Sequence, residues 1–451
     1  MARLFGTDGV RGVANENLTP ELAFKLGQAA GIYFQRGRGT AEERPRVIIG
    51  KDTRISGDML EAALMSGLTS VGVDVYRLGV LPTPGVAFLC RRLGSVAGVM
   101  ISASHNPVED NGIKFFDHQG FKLTDEVEDE IEAILRTGLE QFERPTGIKV
   151  GQINDAHDAV KQYEDYLVST VQVRFDGLRV VVDCGFGAAY QLAPQIMQRL
   201  GAEVIPLHAM DDGSRINVKC GSTHPEILQR EVVAYGANLG IAHDGDADRV
   251  IAVDEAGRVV DGDQIITVCG LALLQEGKLR HNKVAVTVYS NLGLSQAFKK
   301  HQADVVVTAN GDRYVLEALR DQDLVLGGEQ SGHIIFLEKN TTGDGILTAL
   351  QLIAVLVKSG RKLSELAGQM ERFPQVLQNV RVAQKEGWEA NPRIREAIDQ
   401  AKQKLGDSGR VFVRASGTEP LIRVMAEGPE EATLRELVGS IAVVIQKEQG
   451  T

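Results

Sequence analysis

Three carboxylates alternate with small residues near the middle of the chain. Asp244, Asp246 and Asp248 are separated by one glycine and one alanine, and Arg249 follows them. Apolar runs on both sides predict two strands joined by a tight loop. Oxygen ligands that converge from one loop suit Mg²⁺ or Ca²⁺. The spacing therefore favours a cation site over a solvated acidic turn.

A calcium-binding EF-hand loop is a second interpretation of this segment. Glu255 stands where such a loop places its final ligand. Arg249, however, replaces the glycine that the turn requires, and the residues that follow have the pattern of a strand rather than a helix. We therefore expect a metal loop of another type.

A serine at the end of an apolar run is the next candidate for chemistry. Residues 96–101 predict a buried strand, and Ser104, His105 and Asn106 follow it. The carboxyl end of a strand is where α/β sheets place their ligands, and small neighbours leave the Ser104 hydroxyl accessible. An ordinary turn uses the same residue types. The residues alone leave both interpretations open.

Hydroxyls and arginines gather in a segment near the carboxyl terminus. Arg414, Ser416, Gly417 and Thr418 lie in RASGTEP, and Arg423 lies on the strand predicted to follow. Hydroxyls, backbone N–H groups freed by glycine and two guanidinium groups suit a phosphate dianion. A hairpin loop with scattered charges is the alternative.

Two glycine-rich segments are weaker candidates. Glu329, Ser331 and His333 lie in GGEQSGH, whose polar side chains suit hydrogen bonds to sugar hydroxyls. A histidine at the start of a strand, as His333 is here, is more usually structural. Near the amino terminus, FGTDGVRG provides Arg11 as a group that can bind an anion.

These loops must be positioned by a repeated arrangement of strands and helices. Three stretches run from an apolar strand through an amphipathic helix to a second short strand, and they begin near Val47, Val180 and Val284. This alternation is typical of parallel α/β units, so we expect an α/β fold of three similar α/β domains with mixed sheets. After Pro374 the pattern predicts a smaller α+β domain with an antiparallel sheet.

Length agrees with several domains, because 451 residues exceed what one hydrophobic core supports. Active sites then tend to fall between domains, here around a central cleft. The expected domains each carry one loop: residues 1–150 the serine loop, 151–255 the carboxylate loop, 256–370 the sugar loop and 371–451 the phosphate loop.

Composition argues against several classes of function. The formal net charge of -11 disfavours a general role on nucleic acid or an anionic membrane. The four cysteines have no CxxC or Cys/His spacing that suits zinc, so we expect buried, reduced thiols. The first residues lack the apolar stretch of a secretory signal, and no later run reaches membrane-spanning length. We expect a cytoplasmic protein.

Taken together, the loops resemble the motifs of the α-D-phosphohexomutase superfamily. Five segments carry the resemblance over the whole chain and in the family's order: FGTDGVRG, SASHNP, DGDADR, GGEQSGH and RASGTEP. The resemblance implies an intramolecular phosphotransferase, an isomerase that moves a phosphoryl group on a hexose phosphate through a phosphoserine and a bisphosphate intermediate. It also implies one Mg²⁺ per active site and a hexosamine or hexose 1,6-bisphosphate as primer.

The motifs and the resemblance together assign roles to individual residues. Ser104 is the expected phosphoserine, and the expected ligands of Mg²⁺ are Ser104, Asp244, Asp246 and Asp248. The residues expected to take part in catalysis, as nucleophile, acid, base or charge-neutralising group, are Ser104, Lys114, His333, Arg249, Arg11 and His105. The residues expected to bind the sugar hydroxyls or the non-reacting phosphate are Glu329, Ser331, Arg414, Ser416, Gly417, Thr418 and Arg423.

Within the superfamily, Gln330 in the sugar loop is typical of the glucosamine branch, whereas the mannose/glucose branch has methionine there. The resemblance thus implies interconversion of glucosamine 6-phosphate and glucosamine 1-phosphate, which feeds amino-sugar nucleotide and cell-wall synthesis. The expected partner is a small phosphosugar, with no nucleic acid and no membrane, and a homodimer is compatible with the sequence. A metal-dependent phosphatase and a non-catalytic sugar-phosphate binding protein are the alternative functions.

Overall fold

The computed structural model describes residues 3–6, 8–36, 44–416 and 420–450. The chain divides into two compact units, the first comprising Met1–Val288 and Val305–Gly368, and the second Tyr289–Asp304 and Gln369–Thr451. Among the helices within the described ranges, none is both long enough and apolar enough to cross a membrane.

The first sheet has six strands and positions the serine loop. Its strands are β1 (Val10–Val13), β2 (Arg46–Lys51), β3 (Asp74–Val80), β4 (Ala97–Ile101), β5 (Asp110–Asp117) and β6 (Ile153–Asp155). The neighbouring helices are α1 (Pro20–Gln35), α2 (Ser56–Ser70), α3 (Thr83–Arg92), α4 (Asp125–Ala133) and α5 (Val160–Ser169). The strand order is β1-β5-β4-β2-β3-β6, with β2 parallel to β3 and β4, and β5 antiparallel to β1 and β4.

The central strands of this sheet are buried on both faces, which explains their continuous apolar sequence. Val47 and Ile49 of β2 belong to a core shared with α1 and α2, and Ile48, which points to the other face, is also fully buried. The two helices pack so closely that a Cβ atom on Gly67 would lie 2.1 Å from the carbonyl oxygen of Phe24. This helix contact therefore requires glycine.

The second sheet has five strands and carries the carboxylate loop. Its elements are β7 (Arg179–Asp183), α6 (Leu192–Arg199), β8 (Glu203–Leu207), α7 (Glu226–Ala234), β9 (Leu239–His243), β10 (Val250–Asp254) and β11 (Val259–Val260). The strand order is β11-β10-β9-β7-β8, in which β7 is parallel to β8 and β9 while β10 runs antiparallel to β9. The tight connection from β9 to β10 contains the three aspartates.

The third sheet has four strands and carries the sugar loop between its last two. Its strands are β12 (Lys283–Thr287), β13 (Asp304–Thr308), β14 (Leu326–Gly328) and β15 (Ile334–Phe336), in the order β13-β12-β14-β15. The helices of this part of the chain are α8 (Gly262–Gln275), α9 (Leu292–Lys300), α10 (Asp312–Asp321), α11 (Gly345–Ser359) and α12 (Leu363–Ala367). A capping box formed by Asp261 and Gln264 starts α8, and Asp344 caps α11.

The second unit contains a three-stranded antiparallel sheet covered by two helices. Its elements are β16 (Gln375–Arg381), α13 (Pro392–Leu405), β17 (Arg410–Ala415), β18 (Leu421–Glu427) and α14 (Glu431–Gln449), with strand order β16-β18-β17. Alternate residues of β18, such as Ile422 and Val424, pack against the helices in one core. Trp388 lies in a separate short 3₁₀ turn, because Asn391 caps α13 and Pro392 begins it.

The predicted fold class is confirmed. Three mixed sheets with helices precede a smaller antiparallel α+β domain, and the strand–helix–strand stretches predicted near Val47, Val180 and Val284 are present. The four expected cysteine thiols are free and buried.

Candidate active site

The carboxylate loop is buried and its side chains converge. Oxygen atoms of Asp244, Asp246 and Asp248 lie within 4.8 Å of one another, and none of the three residues is more than 5% exposed. Within the part of the chain that the structure describes, Oδ1 of Asp246 and Oδ1 of Asp248 accept no hydrogen bond. Buried carboxylate oxygens without donors are costly unless a cation binds them. The donor set therefore fits a hard divalent cation.

The EF-hand interpretation does not hold. Strand β10 follows the loop directly, where an EF-hand has a helix. Glu255, the residue at the final-ligand position, accepts hydrogen bonds from the hydroxyl and the backbone N–H of Ser364.

Ser104 lies on the loop after β4 and reaches the carboxylate cluster. Its Oγ donates a hydrogen bond to Oδ2 of Asp244 at 2.6 Å and lies 3.2 Å from Nδ1 of His105. The two loops touch at Gly245, where a Cβ atom would lie 2.5 Å from the carbonyl oxygen of Ser104. The hydroxyl and the carboxylates, which are 140 residues apart in sequence, form one site.

The backbone at Ser104 is left-handed, with φ of 54°, which is costly for a residue other than glycine. Neighbouring side chains hold it there. Its N–H donates to the Ser102 hydroxyl at 2.9 Å, and that hydroxyl donates to Asp52 Oδ2 at 2.6 Å. Asn217 Nδ2 donates to the carbonyl oxygen of Ser104 at 2.9 Å. The strained backbone at Ser104 is thus held by hydrogen bonds at its N–H and at its carbonyl oxygen.

Arg54 is the main support of the serine loop, and sequence reasoning missed it. Its guanidinium is fully buried and donates to the carbonyl oxygens of Ser104, Asn106 and Asp110 at 3.0, 2.9 and 2.9 Å. It also pairs with Asp52 at 3.0 Å. A signal was available, because the charged run that contains Arg54 directly follows β2, at the sheet edge where ligands bind.

Cationic groups surround the carboxylates. Lys114 Nζ lies 3.0 Å from Asp246 Oδ2, His333 Nδ1 lies 3.4 Å from Asp248 Oδ2, and Arg249 Nε lies 3.8 Å from Asp248 Oδ1. Burial alone would lower the pKa of Lys114 and of His333, but the facing carboxylates raise both pKa values above their ordinary range. These side chains offset part of the negative charge.

The neighbouring positive side chains do not lower the pKa of every aspartate in the cluster equally. Burial, with the charges of Asp248 and Asp246, raises the pKa of Asp244 well above its ordinary value. Burial would also raise the pKa of Asp248, but His333 and Lys114 hold that pKa below its ordinary range. A divalent cation would relieve the repulsion on Asp244.

A chain of ion pairs leads away from the carboxylates and returns to them. Lys114 pairs with Asp8 at 2.9 Å, Asp8 pairs with Lys122 at 2.6 Å, and Lys122 pairs with Asp312 at 2.6 Å. His333 Nε2 then lies 3.6 Å from Asp312 Oδ2. This ion-pair chain connects the two residues expected to act as acid and base.

Arg11 and His105 lie beside this site. Arg11 forms a salt bridge with Asp8 at the start of the ion-pair chain. Burial, with the charges of Arg249 and Arg11, lowers the pKa of His105 to about 4. His105 is therefore neutral at physiological pH and offers Ser104 an uncharged ring nitrogen.

The sugar loop is joined to the carboxylate loop by backbone pairing. Arg249 and His333 form an isolated antiparallel bridge. Glu329 and Ser331 lie together on the loop, with the Ser331 hydroxyl donating to Glu329 Oε2 at 3.1 Å. The backbone nitrogen of Gly343 lies 3.1 Å from His333 Nε2, and Nδ1 faces Asp248.

The predicted phosphate-binding residues belong to the second unit. Arg414 on β17 is directly opposite Arg423 on β18, and like charges in such a pair repel unless an anion or another group offsets them. The Arg414 guanidinium lies over the ring of Tyr289, 5.2 Å from its centroid, and Ser416 is buried. The remaining two members of the predicted set lie outside the described residues: Gly417 and Thr418.

A second group of metal-ligand types is structural. Asp183, His208 and Cys220 converge, although their sequence spacing gave no sign of it. Oδ1 of Asp183 accepts a hydrogen bond from the backbone N–H of Gly185 and is also hydrogen-bonded to His208 Nδ1. Oδ2 of Asp183 accepts a hydrogen bond from the backbone N–H of Gly221. Burial raises the pKa of the Cys220 thiol to about 12. The Asp183 carboxylate therefore holds neighbouring loops together. The carboxylate cluster differs, because it has buried oxygens that accept no hydrogen bond within the described residues.

Family models of the known proteins match nearly the whole chain. The descriptions are phosphoglucomutase/phosphomannomutase alpha/beta/alpha domain I at residues 2–142, domain II at 158–257, domain III at 261–373 and C-terminal domain at 377–443. The chain belongs to the phosphoglucomutase/phosphomannomutase family, and it is therefore a mutase, an enzyme of the isomerase class.

Proteins with high sequence identity to this chain indicate one activity within the mutase class. The phosphoglucosamine mutase of Desulforamulus reducens is 56% identical over 445 residues, which cover 99% of each chain. The phosphoglucosamine mutase of Carboxydothermus hydrogenoformans is 56% identical over 450 residues, which cover 99% of this chain and all of the relative. The resemblance drawn from the five motifs is confirmed.

Solved structures agree on the fold. A phosphoglucomutase/phosphomannomutase family protein from Burkholderia thailandensis has a TM-score of 0.81 at 23% identity, over 98% of this chain and 97% of its own. The N-acetylphosphoglucosamine mutase of Aspergillus fumigatus, solved in complex with GlcNAc-6P and magnesium, has a TM-score of 0.61 at 20% identity, over 85% of this chain and 93% of its own.

Proposed function

We propose that the chain interconverts glucosamine 6-phosphate and glucosamine 1-phosphate, with Ser104 as the residue that gives and receives the phosphoryl group. One observation carries the proposal: Ser104 Oγ lies 2.6 Å from Asp244 Oδ2, at the edge of a buried carboxylate cluster. A phosphate on that oxygen would adjoin the cation site. Relatives with more than half of their residues identical are named phosphoglucosamine mutase, which supports this choice of sugar.

The cation is proposed to be one Mg²⁺, held by Asp244, Asp246, Asp248 and the phosphate on Ser104. When bound, it would neutralise charge on the phosphoryl group, which is the main requirement of phosphoryl transfer. Oδ1 of Asp246 and Oδ1 of Asp248 are the buried oxygens that stand open for it among the described residues.

The transfer itself needs a nucleophile, a leaving group and a proton acceptor. A sugar hydroxyl attacks the phosphorus on Ser104 and passes its proton to a base. The bond from phosphorus to Ser104 Oγ breaks, and an acid gives a proton to that oxygen. The product is a sugar bisphosphate, which turns end for end and returns its other phosphoryl group to Ser104. Atoms balance over the cycle, so a hexosamine or hexose 1,6-bisphosphate is needed only to phosphorylate Ser104 at the start.

Lys114 and His333 are the proposed acid and base, one against Asp246 and the other against Asp248. Arg249, which contacts Asp248, would offset charge on the transferred group. His105 and Arg11 would orient and bind the same phosphoryl group. Position supports these assignments, because each side chain contacts the carboxylate cluster, Ser104 or the ion-pair chain within the first unit.

Two further groups of residues are proposed to bind the substrate. Glu329 and Ser331 present a carboxylate and a hydroxyl suited to sugar hydroxyls. The non-reacting phosphate would be bound by Arg414 and Arg423, which lie directly opposite each other on paired strands. The segment between β17 and β18 is proposed to contribute Ser416, Gly417 and Thr418 to this phosphate site.

The test is a coupled assay of the purified chain with Mg²⁺ and a trace of glucosamine 1,6-bisphosphate. Glucosamine, glucose and mannose phosphates are compared side by side, and glucosamine is expected to turn over fastest. Ser104→Ala should remove nearly all activity. Ser66→Ala, which removes an exposed hydroxyl that donates to the Ala62 carbonyl oxygen within α2, is the control and should behave as wild type.

Two outcomes would contradict the proposal. Full mutase activity in Ser104→Ala would exclude the phosphoserine scheme. Release of inorganic phosphate at the rate of sugar turnover would instead indicate a metal-dependent phosphatase built from the same groups.

A further inference from the structure

The carboxylate of Asp246 is held through one of its two oxygens. Oδ2 accepts a hydrogen bond from Thr83 Oγ1 at 2.6 Å and another from Lys114 Nζ at 3.0 Å. Oδ1 is buried and, within the described ranges, accepts none. Both donors act on the same atom, which leaves the other oxygen to the proposed cation site.

Thr83 contacts Asp246 twice across 163 residues of sequence. Besides its hydroxyl, its backbone N–H donates to the Asp246 carbonyl oxygen at 3.0 Å. This N–H belongs to the first residue of α3 and lacks a partner inside the helix, so the carboxylate loop satisfies it. The residue is fully buried.

The helix that carries Thr83 is itself firmly placed. Val86 packs so closely on β2 that a Cβ atom on Gly50 would lie 2.6 Å from its Cγ2. Asn340 Nδ2 donates to the carbonyl oxygen of Pro84 at 3.2 Å. The Thr83 hydroxyl is therefore a fixed donor, whereas the Lys114 ammonium is shared with Asp8.

We propose that Thr83 is a positioning residue for the cation, which sets the rotation of the Asp246 carboxylate so that Oδ1 remains free as a ligand. The inference rests on the proposed cation role of the three aspartates. Mg²⁺ demands near-ideal geometry, so a carboxylate that rotates binds it less well. Groups that orient a metal ligand without touching the metal typically contribute about 10- to 100-fold in metal affinity.

The experiment measures cation binding directly, with Mn²⁺ as the probe. Unphosphorylated protein without sugar is titrated with Mn²⁺ by electron paramagnetic resonance, and Mg²⁺ is then added as competitor. Thr83→Val replaces the hydroxyl by a methyl group of similar size and should raise the Kd by about 10- to 100-fold. Thr83→Ser keeps the hydroxyl and should stay within about threefold of wild type, by the same reasoning.

A matched control removes a buried hydroxyl elsewhere. Thr267 lies in α8, is fully buried and donates to the backbone carbonyl of Asp263, so Thr267→Val should leave the Mn²⁺ affinity unchanged. Thermal unfolding of each variant checks folding. If Thr83→Val does not fold, Thr83→Ala takes its place, because a smaller side chain removes the hydroxyl without adding a clash.

Wild-type Mn²⁺ affinity in Thr83→Val would overturn the inference, and so would an equal loss in Thr83→Ser. The mutase assay separates this result from the proposed function. A wild-type chain that binds Mn²⁺ in a Thr83-dependent manner but lacks mutase activity would support the positioning role and refute the reaction. A wild-type chain that binds no divalent cation would refute both.

Discussion

At the scale of single residues, Ser104 depends on side chains that lie outside its motif. Its left-handed backbone is held by hydrogen bonds from Arg54 and Asn217 to its carbonyl oxygen and by the Ser102 hydroxyl at its N–H. A nucleophile that must accept and donate a phosphoryl group needs a fixed position, because misplacement by about 1 Å can cost about 100-fold in rate. The supporting residues would therefore affect the proposed phosphoryl transfer without touching substrate.

Arg54→Lys tests this dependence. A lysine ammonium lacks the planar fork that reaches several loop carbonyls and Asp52 together, so the loop loses its support. We expect kcat to fall by about 100-fold with little change in KM, measured by steady-state mutase assay. Arg77→Lys, at an exposed pair with Asp155, is the control and should retain wild-type kcat. An unchanged kcat in Arg54→Lys would show that the serine loop keeps its conformation without the Arg54 guanidinium.

At the scale of elements, the ion-pair chain connects the strand β5 region to helix α10. Lys122 follows β5 and Asp312 begins α10, and their 2.6 Å contact spans 190 residues of sequence. Burial would lower the pKa of Lys122, but Asp312 and Asp8 raise it instead. Lys122 thus stays charged and separates two carboxylates that would otherwise face each other.

Lys122→Met should destabilise the fold by about 1–3 kcal/mol, because it leaves Asp8 and Asp312 without the cation between them. The measurement is the urea midpoint of unfolding. Adding Asp312→Asn to this variant removes one carboxylate and should recover part of the loss. Lys278→Met, at an exposed pair with Glu276, should shift the midpoint little. Additive losses in the double variant would contradict the account.

Helix α11 carries a pH-dependent cap. Asp344 caps the helix by accepting the Leu347 N–H at 2.9 Å, and burial raises the pKa of this carboxyl to about 6. Because the folded state holds this proton more tightly than the unfolded state, its contribution to stability is present at low pH and is lost as the pH rises through about 6.

Asp344→Asn should remove that dependence, since asparagine also caps helices and does not titrate in this range. Between pH 4 and pH 7 the free energy of unfolding of the variant should rise relative to wild type, by roughly 3 kcal/mol at most. Urea unfolding at several pH values measures it, with Asp158→Asn on the surface as control. A constant difference between variant and wild type would mean that Asp344 is ionised throughout.

At the scale of the whole molecule, residues with different proposed roles lie in different units. The serine loop, the carboxylate cluster, the ion-pair chain and the sugar loop lie in the first unit, whereas the facing arginines lie in the second. Three sheets contribute loops to the first set, so the position of the proposed phosphoryl-transfer groups depends on how those sheets pack. The proposed cation would therefore bind to residues of the first unit.

Mg²⁺ should stabilise the first unit selectively. A ligand present at about 100 times its Kd stabilises the state that binds it by about 2.7 kcal/mol. Hydrogen exchange with and without Mg²⁺ should show slower exchange around the carboxylate and serine loops and no change in α13 and α14. Asp246→Asn should abolish the effect. Equal protection of both units would point to a cation site other than the carboxylate cluster.

Much of the fold was predictable from sequence because it depends on local pattern. Buried strands such as β2 and β7 are continuous apolar runs, and the helices between them are amphipathic, so the α/β class and its antiparallel last domain are confirmed. The expected domain boundaries and the individual catalytic and binding roles stay predictions. Residue type and loop position also identified the three aspartates and Ser104 as candidates.

By itself the sequence determined which loops are candidates for chemistry and which strands they follow, because these are properties of neighbouring residues. Only the tertiary structure decided which side chains meet: Thr83 with Asp246, Lys122 with Asp312, and Arg54 with the serine loop. These contacts depend on strand order and on the packing of separate sheets. The physical reason is that periodicity records burial, whereas contact between residues 50 or more positions apart follows from topology.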